Sequence, residues 1–227
     1  MHIIAQQLKS VLEQLRILER KYQREENSVR LLAVSKTRPA EEISLAFASG
    51  QLEFGENYLQ EAISKIEEVA ENSISWHFIG PVQSNKTRDI AKYFSWLHSL
   101  DRYKIARRLS ESRSQQQTEL NVCIQVNISE EASKSGCAAN EVKHLAEQIE
   151  NLPGLRLRGL MAMPAPANDF SEQRLAFRDL HRLFDDLIAA GHGLDTLSMG
   201  TSNDMEAAIA EGATIIRIGT AVFGPRM

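Results

Sequence analysis

The sequence predicts an α/β fold, a single (β/α)8 TIM-type barrel with an N-terminal helix. Short apolar runs rich in β-branched residues alternate with longer segments of helical periodicity, which is the pattern of parallel βαβ units. Eight such runs occur, at 31–35, 51–54, 75–79, 96–100, 121–128, 156–163, 195–199 and 214–219. No Pro/Gly/Ser-rich linker interrupts them, so residues 1–227 are predicted to form one domain. A doubly wound open sheet is the alternative fold.

Helix signals fill most of the gaps between these runs. The first segment has one apolar stripe at helical spacing, formed by Ile4, Leu8, Val11, Leu12, Leu15 and Leu18. Pro39 followed by two glutamates indicates a helix start, and Gly50 its end. Apolar residues recur at the same spacing in 57–71, 139–150 and 171–190. Only eight residues follow the last run, so we expect no eighth covering helix and expect the N-terminal helix to take its place.

Composition excludes several classes of protein. The chain has 26 Lys+Arg against 30 Asp+Glu, a net charge of −4, and 6% aromatic residues, which argues against a nucleic-acid-binding surface. No run approaches the roughly 20 apolar residues of a membrane span, and the N-terminus does not resemble a secretory signal. Cys123 and Cys137 are read as free thiols rather than a disulfide. We therefore predict a cytoplasmic protein without nucleic-acid or membrane partners.

Lys36 directly follows the first predicted strand, where barrel proteins place their working residues. After a wholly apolar run, its amine would lie in a partly desolvated position at the barrel mouth. A desolvated amine is available as a nucleophile for Schiff-base formation. The alternative is a lysine that extends along the strand end to reach water.

The last two strands are followed by sequences suited to a phosphate. Gly200 permits a tight turn, and Ser202 or Asn203 is expected to cap a helix through residues 205–209. Gly219 and Thr220 end the eighth strand. Barrels often bind phosphate at these two loops through backbone N–H groups and hydroxyls. Ordinary turn chemistry is the alternative explanation.

Arg217 lies on the eighth strand, on the face opposite its isoleucine neighbours. A buried arginine needs a partner, and we consider either a ligand or a carboxylate such as Glu56. Mid-strand His77 and His98 are interpreted as core histidines, and no His/Cys/carboxylate spacing predicts a metal site. Four methionines near strand ends are interpreted as core residues: Met161, Met163, Met199 and Met205.

These motifs together closely resemble the YggS/PROSC family of pyridoxal-phosphate homeostasis proteins, in its bacterial branch, from about residue 5 to the C-terminus. The resemblance rests on LLAVSKTRPAEEI, FGENYLQEA, WHFIGPVQSNKTRDIAKYF, LNVCIQVNISEEASKSG, LRLRGLMAMPAP, DTLSMGTSNDMEAAI and GATIIRIGTAVFG. Two positions depart from the family pattern: Thr201 stands where Met is usual, and Val82 where Leu is usual. Thr201 could add a hydroxyl to a phosphate site.

The resemblance implies a fold similar to the barrel domain of fold-type III enzymes such as alanine racemase. It implies pyridoxal 5'-phosphate (PLP) as the cofactor, held by Lys36 as a Schiff base. Ser202, Gly219 and Thr220 would then bind the phosphate. Arg217 would face the pyridine nitrogen, and Asn57 would lie beside the cofactor. An arginine in that place leaves the ring a weak electron sink.

Three functions follow from these expectations. The first is a non-enzymatic, monomeric protein that buffers PLP, takes part in vitamin B6 homeostasis and passes PLP to apo-enzymes. The second is a PLP-dependent amino-acid racemase. The third is a barrel enzyme that uses Lys36 on a phosphorylated sugar or aldehyde without PLP. We favour the first, because racemisation in the related enzymes needs a second acid/base group from a further domain. Lys134, in a polar loop, is either a second cation over the mouth or a solvated lysine.

Overall fold

Eight parallel strands close into one barrel in the order β1 to β8, as the alternating pattern predicted. The computed structural model describes residues 3–114, 116, 118–129 and 135–225. The strands are β1 Arg30–Val34, β2 Glu53–Glu56, β3 Ser75–Phe78, β4 Trp96–Leu100, β5 Leu120–Gln125, β6 Leu155–Met161, β7 Thr196–Ser198 and β8 Ile215–Ile218. Pairing of Arg30 with Ile215 and of Ala33 with Ile218 closes the ring. The open-sheet alternative is therefore wrong.

Helices form an outer layer around this barrel. They are α1 Ile3–Lys21, α2 Ala40–Ala48, α3 Leu59–Val69, α4 Thr87–Tyr93, α5 Tyr103–Arg113, α6 Val142–Glu150, α7 Phe170–Ala189, α8 Met205–Ala210 and α9 Thr220–Phe223. Short 3-10 turns at Ser84–Lys86 and Ala139–Glu141 precede α4 and α6. The α7 helix begins where the Asp169 carboxylate accepts hydrogen bonds from the backbone N–H groups of Ser171 (2.8 Å) and Glu172 (3.2 Å).

The N-terminal helix covers the seam next to the eighth strand, as expected. Its apolar stripe is buried, with Leu8 1% and Leu15 0% exposed, and it packs against α2, α8 and α9. Tyr22, just beyond its end, donates a hydrogen bond to Glu206 of α8 (2.8 Å). The expectation that no helix follows β8 is wrong, because the four-residue α9 does. It is a single short turn, and α1 packs against it.

The second strand lies two residues further along the chain than predicted. Residues 51 and 52 precede the strand, and the Gln51 side-chain amide donates to the backbone carbonyls of Leu31 (2.9 Å) and Glu53 (2.6 Å). The strand continues through Gly55, where an added Cβ would lie 3.2 Å from Leu32. Glycine at this position lets β2 pass close to the Leu32 side chain of β1.

The barrel interior contains polar side chains as well as apolar ones. Trp96 lies toward the amino-terminal end, with the guanidinium groups of Arg30 and Arg158 at 5.3 and 4.8 Å from its ring centroid. His77 stacks on the same ring at 5.3 Å with an interplanar angle of 4°. The amino-terminal end of the barrel is thus filled, and an open cavity lies at the carboxyl end.

Across the described residues, no helix combines the length and apolar character that crossing a bilayer requires. That residues 1–227 form one domain stays a prediction.

Candidate functional site

A cavity of about 510 Å³ opens at the carboxyl ends of β1, β2 and β8. All six residues that the sequence analysis singled out for cofactor binding line it: Lys36, Asn57, Ser202, Arg217, Gly219 and Thr220. They come from positions up to 184 residues apart (220 − 36), and the closed barrel brings them together. The structure therefore assembles the predicted set at one place.

Lys36 reaches this cavity because side chains alternate along and beyond β1. Val34 and Lys36 both line the cavity, whereas the Ser35 hydroxyl between them donates to the Glu56 carboxylate of β2. The Lys65 ammonium of α3 donates to the Ser35 carbonyl (2.7 Å). On the other side of Lys36, the Thr37 backbone N–H donates to the Glu61 carboxylate (2.5 Å). Helix α3 thus fixes the backbone on both sides of Lys36.

Thr37 has a left-handed backbone conformation, with φ at +63°. For a β-branched residue this conformation is strained, and surrounding contacts must maintain it. The hydrogen bond from its N–H to Glu61 is one such contact. The turn after Lys36 is therefore set by tertiary contacts rather than by local preference.

Glu56 is fully buried behind this turn, at 0% exposure. Its carboxylate accepts from the Ser35 hydroxyl (2.6 Å) and from Lys65 (2.8 Å). Burial raises the pKa of the Glu56 carboxyl, and the Lys65 ammonium opposes that rise. The suggestion that Glu56 pairs with Arg217 is wrong, because Glu56 points outward from the barrel toward α3.

Arg217 lies inside the barrel at the base of the cavity, 4% exposed. Its Nη1 donates to the Ser198 carbonyl (2.6 Å) and hydroxyl (2.9 Å), and its Nη2 donates to the Ala162 carbonyl (2.9 Å). Burial lowers the pKa of the guanidinium to about 10, which leaves it charged at neutral pH. The cavity therefore has a fixed positive charge at its base.

The loop after β7 differs in detail from its prediction. Neither Ser202 nor Asn203 caps α8; Asp204 stands at the N-cap and directs its carboxylate back to Thr201. That carboxylate accepts from the Thr201 backbone N–H (2.6 Å) and hydroxyl (2.9 Å). The Ser202 side chain is left exposed at the cavity edge. The Thr201 hydroxyl lines the cavity too, but it donates its proton to Asp204.

Two lining residues have features that the sequence did not predict, namely an unpartnered acceptor on Asn57 and the exposed position of Met163. The Asn57 Oδ1 atom is buried and has no hydrogen-bond partner among the described residues. Met163, expected in the core, is 54% exposed and lies between this cavity and an adjoining one of about 470 Å³. The other three methionines are buried as expected. The run MPAPA, which has little capacity to form a helix, was the available signal that Met163 sits in a mouth loop.

The predictions for the histidines and cysteines agree with the structure. His77 and His98 are buried and hydrogen-bonded to each other (2.9 Å). Cys123 and Cys137 are free and buried, and burial raises the pKa of each thiol to about 12. Within the described part of the chain, no group of His, Cys, Asp and Glu could hold a metal. Lys134 lies outside the described residues, so its role stays open.

A lysine after the first strand and a buried arginine on the eighth, around one cavity, define a class of protein: (β/α)8 barrels of the alanine racemase type. The family model for the alanine racemase N-terminal domain matches residues 7–227, and the chain belongs to that family. Within it, the chain belongs to the pyridoxal phosphate homeostasis proteins. It is 54% identical to the one from Pseudomonas aeruginosa over 226 residues, covering 100% of this chain and 97% of the relative. It is 47% identical to the one from Escherichia coli K12 over 229 residues, covering 100% and 98%.

Solved structures agree with this assignment. PipY of Synechococcus elongatus PCC7942, solved with PLP bound, has a TM-score of 0.85 and 34% identity, covering 97% of this chain and 100% of PipY. Alanine racemase from Corynebacterium glutamicum has a TM-score of 0.68 and 18% identity, covering 98% of this chain and 60% of the racemase. The second similarity concerns the fold alone.

Proposed function

We propose that this protein binds PLP in the cavity at the carboxyl end of the barrel and takes part in PLP homeostasis. The observation that carries the proposal is the gathering of Lys36, Arg217 and the loops after β7 and β8 around one cavity of about 510 Å³. The similarity to PipY, which was solved with PLP bound, supports it.

The residues present suit the chemical groups of PLP. The Lys36 side chain, a primary amine, shares the cavity with Gly219, Thr220 and Ser202, whose backbone and hydroxyl donors suit a phosphate. The guanidinium of Arg217 donates but does not accept, so it suits an unprotonated ring nitrogen. The orphan Asn57 Oδ1 offers one further acceptor beside the cavity. When bound, PLP supplies an aldehyde that condenses reversibly with a primary amine.

Each residue then has one task. Lys36 holds the aldehyde carbon, and α3 keeps the lysine in place through Ser35 and Thr37. Arg217 orients the ring and disfavours protonation of its nitrogen, because a second positive charge beside a buried guanidinium is costly. Ser202, Gly219 and Thr220 anchor the phosphate.

We further propose that the protein carries or buffers PLP and has no catalytic turnover of its own. Among the described residues that line the cavity, none is His, Tyr, Cys, Asp or Glu. Proton transfer in racemisation needs a second acid/base group with a suitable pKa. This composition supports storage of the cofactor over racemisation. Apo-enzymes as acceptors, a monomeric state and a cytoplasmic location stay predictions.

Borohydride reduction of the PLP-loaded protein, followed by peptide mass mapping, tests the binding site. We expect one modified peptide, containing Lys36, and loss of the visible absorbance band in Lys36→Ala. Lys104→Ala serves as the matched control, because Lys104 is exposed on α5, away from the cavity. A wild-type protein that gains no band with PLP, or a label that falls elsewhere, would contradict the proposal.

Chiral analysis of amino acids after long incubation tests the absence of turnover. We expect no net racemisation by the PLP-loaded protein. Sustained racemisation at an ordinary enzymatic rate, on the order of 1–10³ per second, would establish an enzyme instead.

A further inference from the structure

A chain of buried polar groups runs through the barrel interior beneath Arg217. The Ser198 Oγ atom on β7 lies 2.9 Å from Arg217 Nη1 and 2.7 Å from His98 Nδ1. His98 Nε2 on β4 lies 2.9 Å from His77 Nδ1, and His77 Nε2 on β3 lies 3.2 Å from Ser75 Oγ. The chain thus runs from the cavity toward the amino-terminal end of the barrel, where β3 begins at Ser75.

The hydrogen-bond directions in this chain are assigned by giving the Ser198 hydroxyl proton an acceptor. A guanidinium only donates, so the Ser198 hydroxyl oxygen accepts from Arg217. Among the described residues, the acceptor within reach of the Ser198 hydroxyl proton is His98 Nδ1. His98 therefore carries its proton on Nε2 and donates to His77 Nδ1. His77 in turn carries its proton on Nε2 and donates to Ser75.

Burial keeps both histidines neutral, which this arrangement requires. Both are 0% exposed, and burial lowers the pKa of each imidazole well below its usual value. Neighbouring guanidinium groups also oppose a positive imidazole: Arg30 acts on both histidines, and Arg217 acts on His98. Stacking of His77 on Trp96 fixes the inner end of the chain.

The same contacts limit how Arg217 can point. A guanidinium has five N–H donors. Three of them are used by the Ser198 carbonyl, the Ser198 hydroxyl and the Ala162 carbonyl. The remaining two (5 − 3) belong to Nε and Nη2, on a side chain that lines the cavity. The barrel interior therefore decides which N–H groups stay available to a ligand.

We propose that Ser198 and His98 are positioning residues, which hold the Arg217 guanidinium in the orientation that meets the ring nitrogen of PLP. This inference rests on the proposed function, since it assigns Arg217 to the ring. It adds that the chain from Ser198 through His98 to His77 takes the proton arrangement in which the Ser198 hydroxyl proton has an acceptor. Ser198 and His98 do not touch the cavity themselves, so they act through the arginine.

Nitrogen-15 NMR of the histidine rings in the PLP-free protein tests the proton arrangement without relying on PLP. We expect His77 and His98 both as Nε2–H tautomers that do not titrate between pH 6 and 8. In Ser198→Ala, His98 is expected to lose this single tautomer. A wild-type His98 protonated on Nδ1, or an unchanged His98 spectrum in Ser198→Ala, would overturn the proposal even if PLP binds as proposed.

The positioning role is tested by visible spectroscopy and equilibrium dialysis with PLP. We expect Ser198→Ala to shift the absorbance maximum in the same direction as Arg217→Lys does. We also expect the Kd for PLP to rise about three- to tenfold, which is the effect of losing one ordinary hydrogen bond. Ser198→Thr keeps the hydroxyl and should restore the wild-type maximum. Cys123→Ala is the control, because Cys123 is buried beside Trp96 in the same interior and should shift nothing.

These outcomes separate the two proposals. A Ser198→Ala protein with wild-type absorbance and Kd would refute the positioning role while leaving PLP binding intact. Failure of wild-type protein to bind PLP would refute the proposed function, and the tautomers measured without PLP would still report on the chain. An equal shift in Cys123→Ala would mean that any loss of interior packing perturbs the site, and it would refute a specific role for Ser198.

Discussion

Lys65 provides a quantitative test of how the backbone around Lys36 is held. Its side chain is 7% exposed, and its ammonium donates to the Ser35 carbonyl (2.7 Å), to Glu56 (2.8 Å) and to Glu61 (2.5 Å). The substitution Lys65→Met keeps a long side chain of similar shape and removes the charge. It leaves the Glu56 carboxylate buried without its cation.

The expected loss of stability is large because an uncompensated buried charge remains. Removing one partner of a buried ion pair costs about 3–5 kcal/mol. For a chain of this size, about 2–4 °C of Tm corresponds to each kcal/mol, so the Tm should fall by about 6–20 °C. The turn after Lys36 loses part of its support too, and PLP binding is expected to weaken.

The loss of stability in Lys65→Met should also depend on pH. Burial raises the pKa of the Glu56 carboxyl in the folded protein, and removing Lys65 removes the group that opposes the rise. An acid with a higher pKa in the folded than in the unfolded state favours folding at low pH and opposes it above its unfolded pKa, about 4.3. Lys65→Met should therefore be destabilised more at pH 8 than at pH 5.

Urea unfolding of the PLP-free protein, followed by circular dichroism at pH 5 and pH 8, measures this effect. The double variant Lys65→Met/Glu56→Gln should recover stability at pH 8, because the buried charge is gone. Lys104→Met, on the exposed face of α5, should leave the midpoint unchanged. A Lys65→Met protein with the wild-type midpoint, or with the same loss at both pH values, would refute this account of Glu56.

Three other outcomes are expected. Gly200→Ala should lower the free energy of unfolding by about 2–4 kcal/mol, measured by urea titration. The φ angle of Gly200 is +94°, and an added Cβ would lie 2.5 Å from the Ala208 side chain of α8. A wild-type unfolding midpoint would contradict this prediction. Burial holds the pKa values of His77 and His98 in the folded protein below their unfolded value near 6.5. The free energy of unfolding should therefore fall as the pH drops below about 6.5, by at most about 1.4 kcal/mol per pH unit for each histidine. Replacing both by glutamine should flatten the dependence. A disulfide reagent at pH 8 should modify Cys123 and Cys137 only after unfolding, since burial raises the pKa of each thiol to about 12; rapid reaction of the native protein would contradict their burial.

The sequence allowed the barrel to be predicted because periodicity is a local property. Short apolar runs between helical segments marked all eight strands, although β2 lay two residues from its expected position. The six residues assigned through the family resemblance do line one cavity. The resemblance supplied this set, and the fold explains why its members meet, since the carboxyl ends of all barrel strands lie at one end.

Partner choices could not be predicted in the same way. Glu56 was considered for Arg217, yet it pairs with Lys65 on the outer side of the barrel. The α8 cap was expected at Ser202 or Asn203, but Asp204 occupies that position. Both errors concern which of several suitable groups a side chain reaches, and that depends on the direction in which each strand presents it.

By itself, the sequence determined the alternation of strands and helices, the family and the set of residues at the carboxyl end of the barrel. The closed tertiary structure alone decided how those residues are held. His98 and Ser198 are 100 positions apart, and they form a hydrogen bond only because β4 and β7 face each other across the barrel interior. Hydrophobic periodicity specifies which side of an element is buried, but it carries no information on which buried polar groups meet, since that requires the distances and angles of the folded chain.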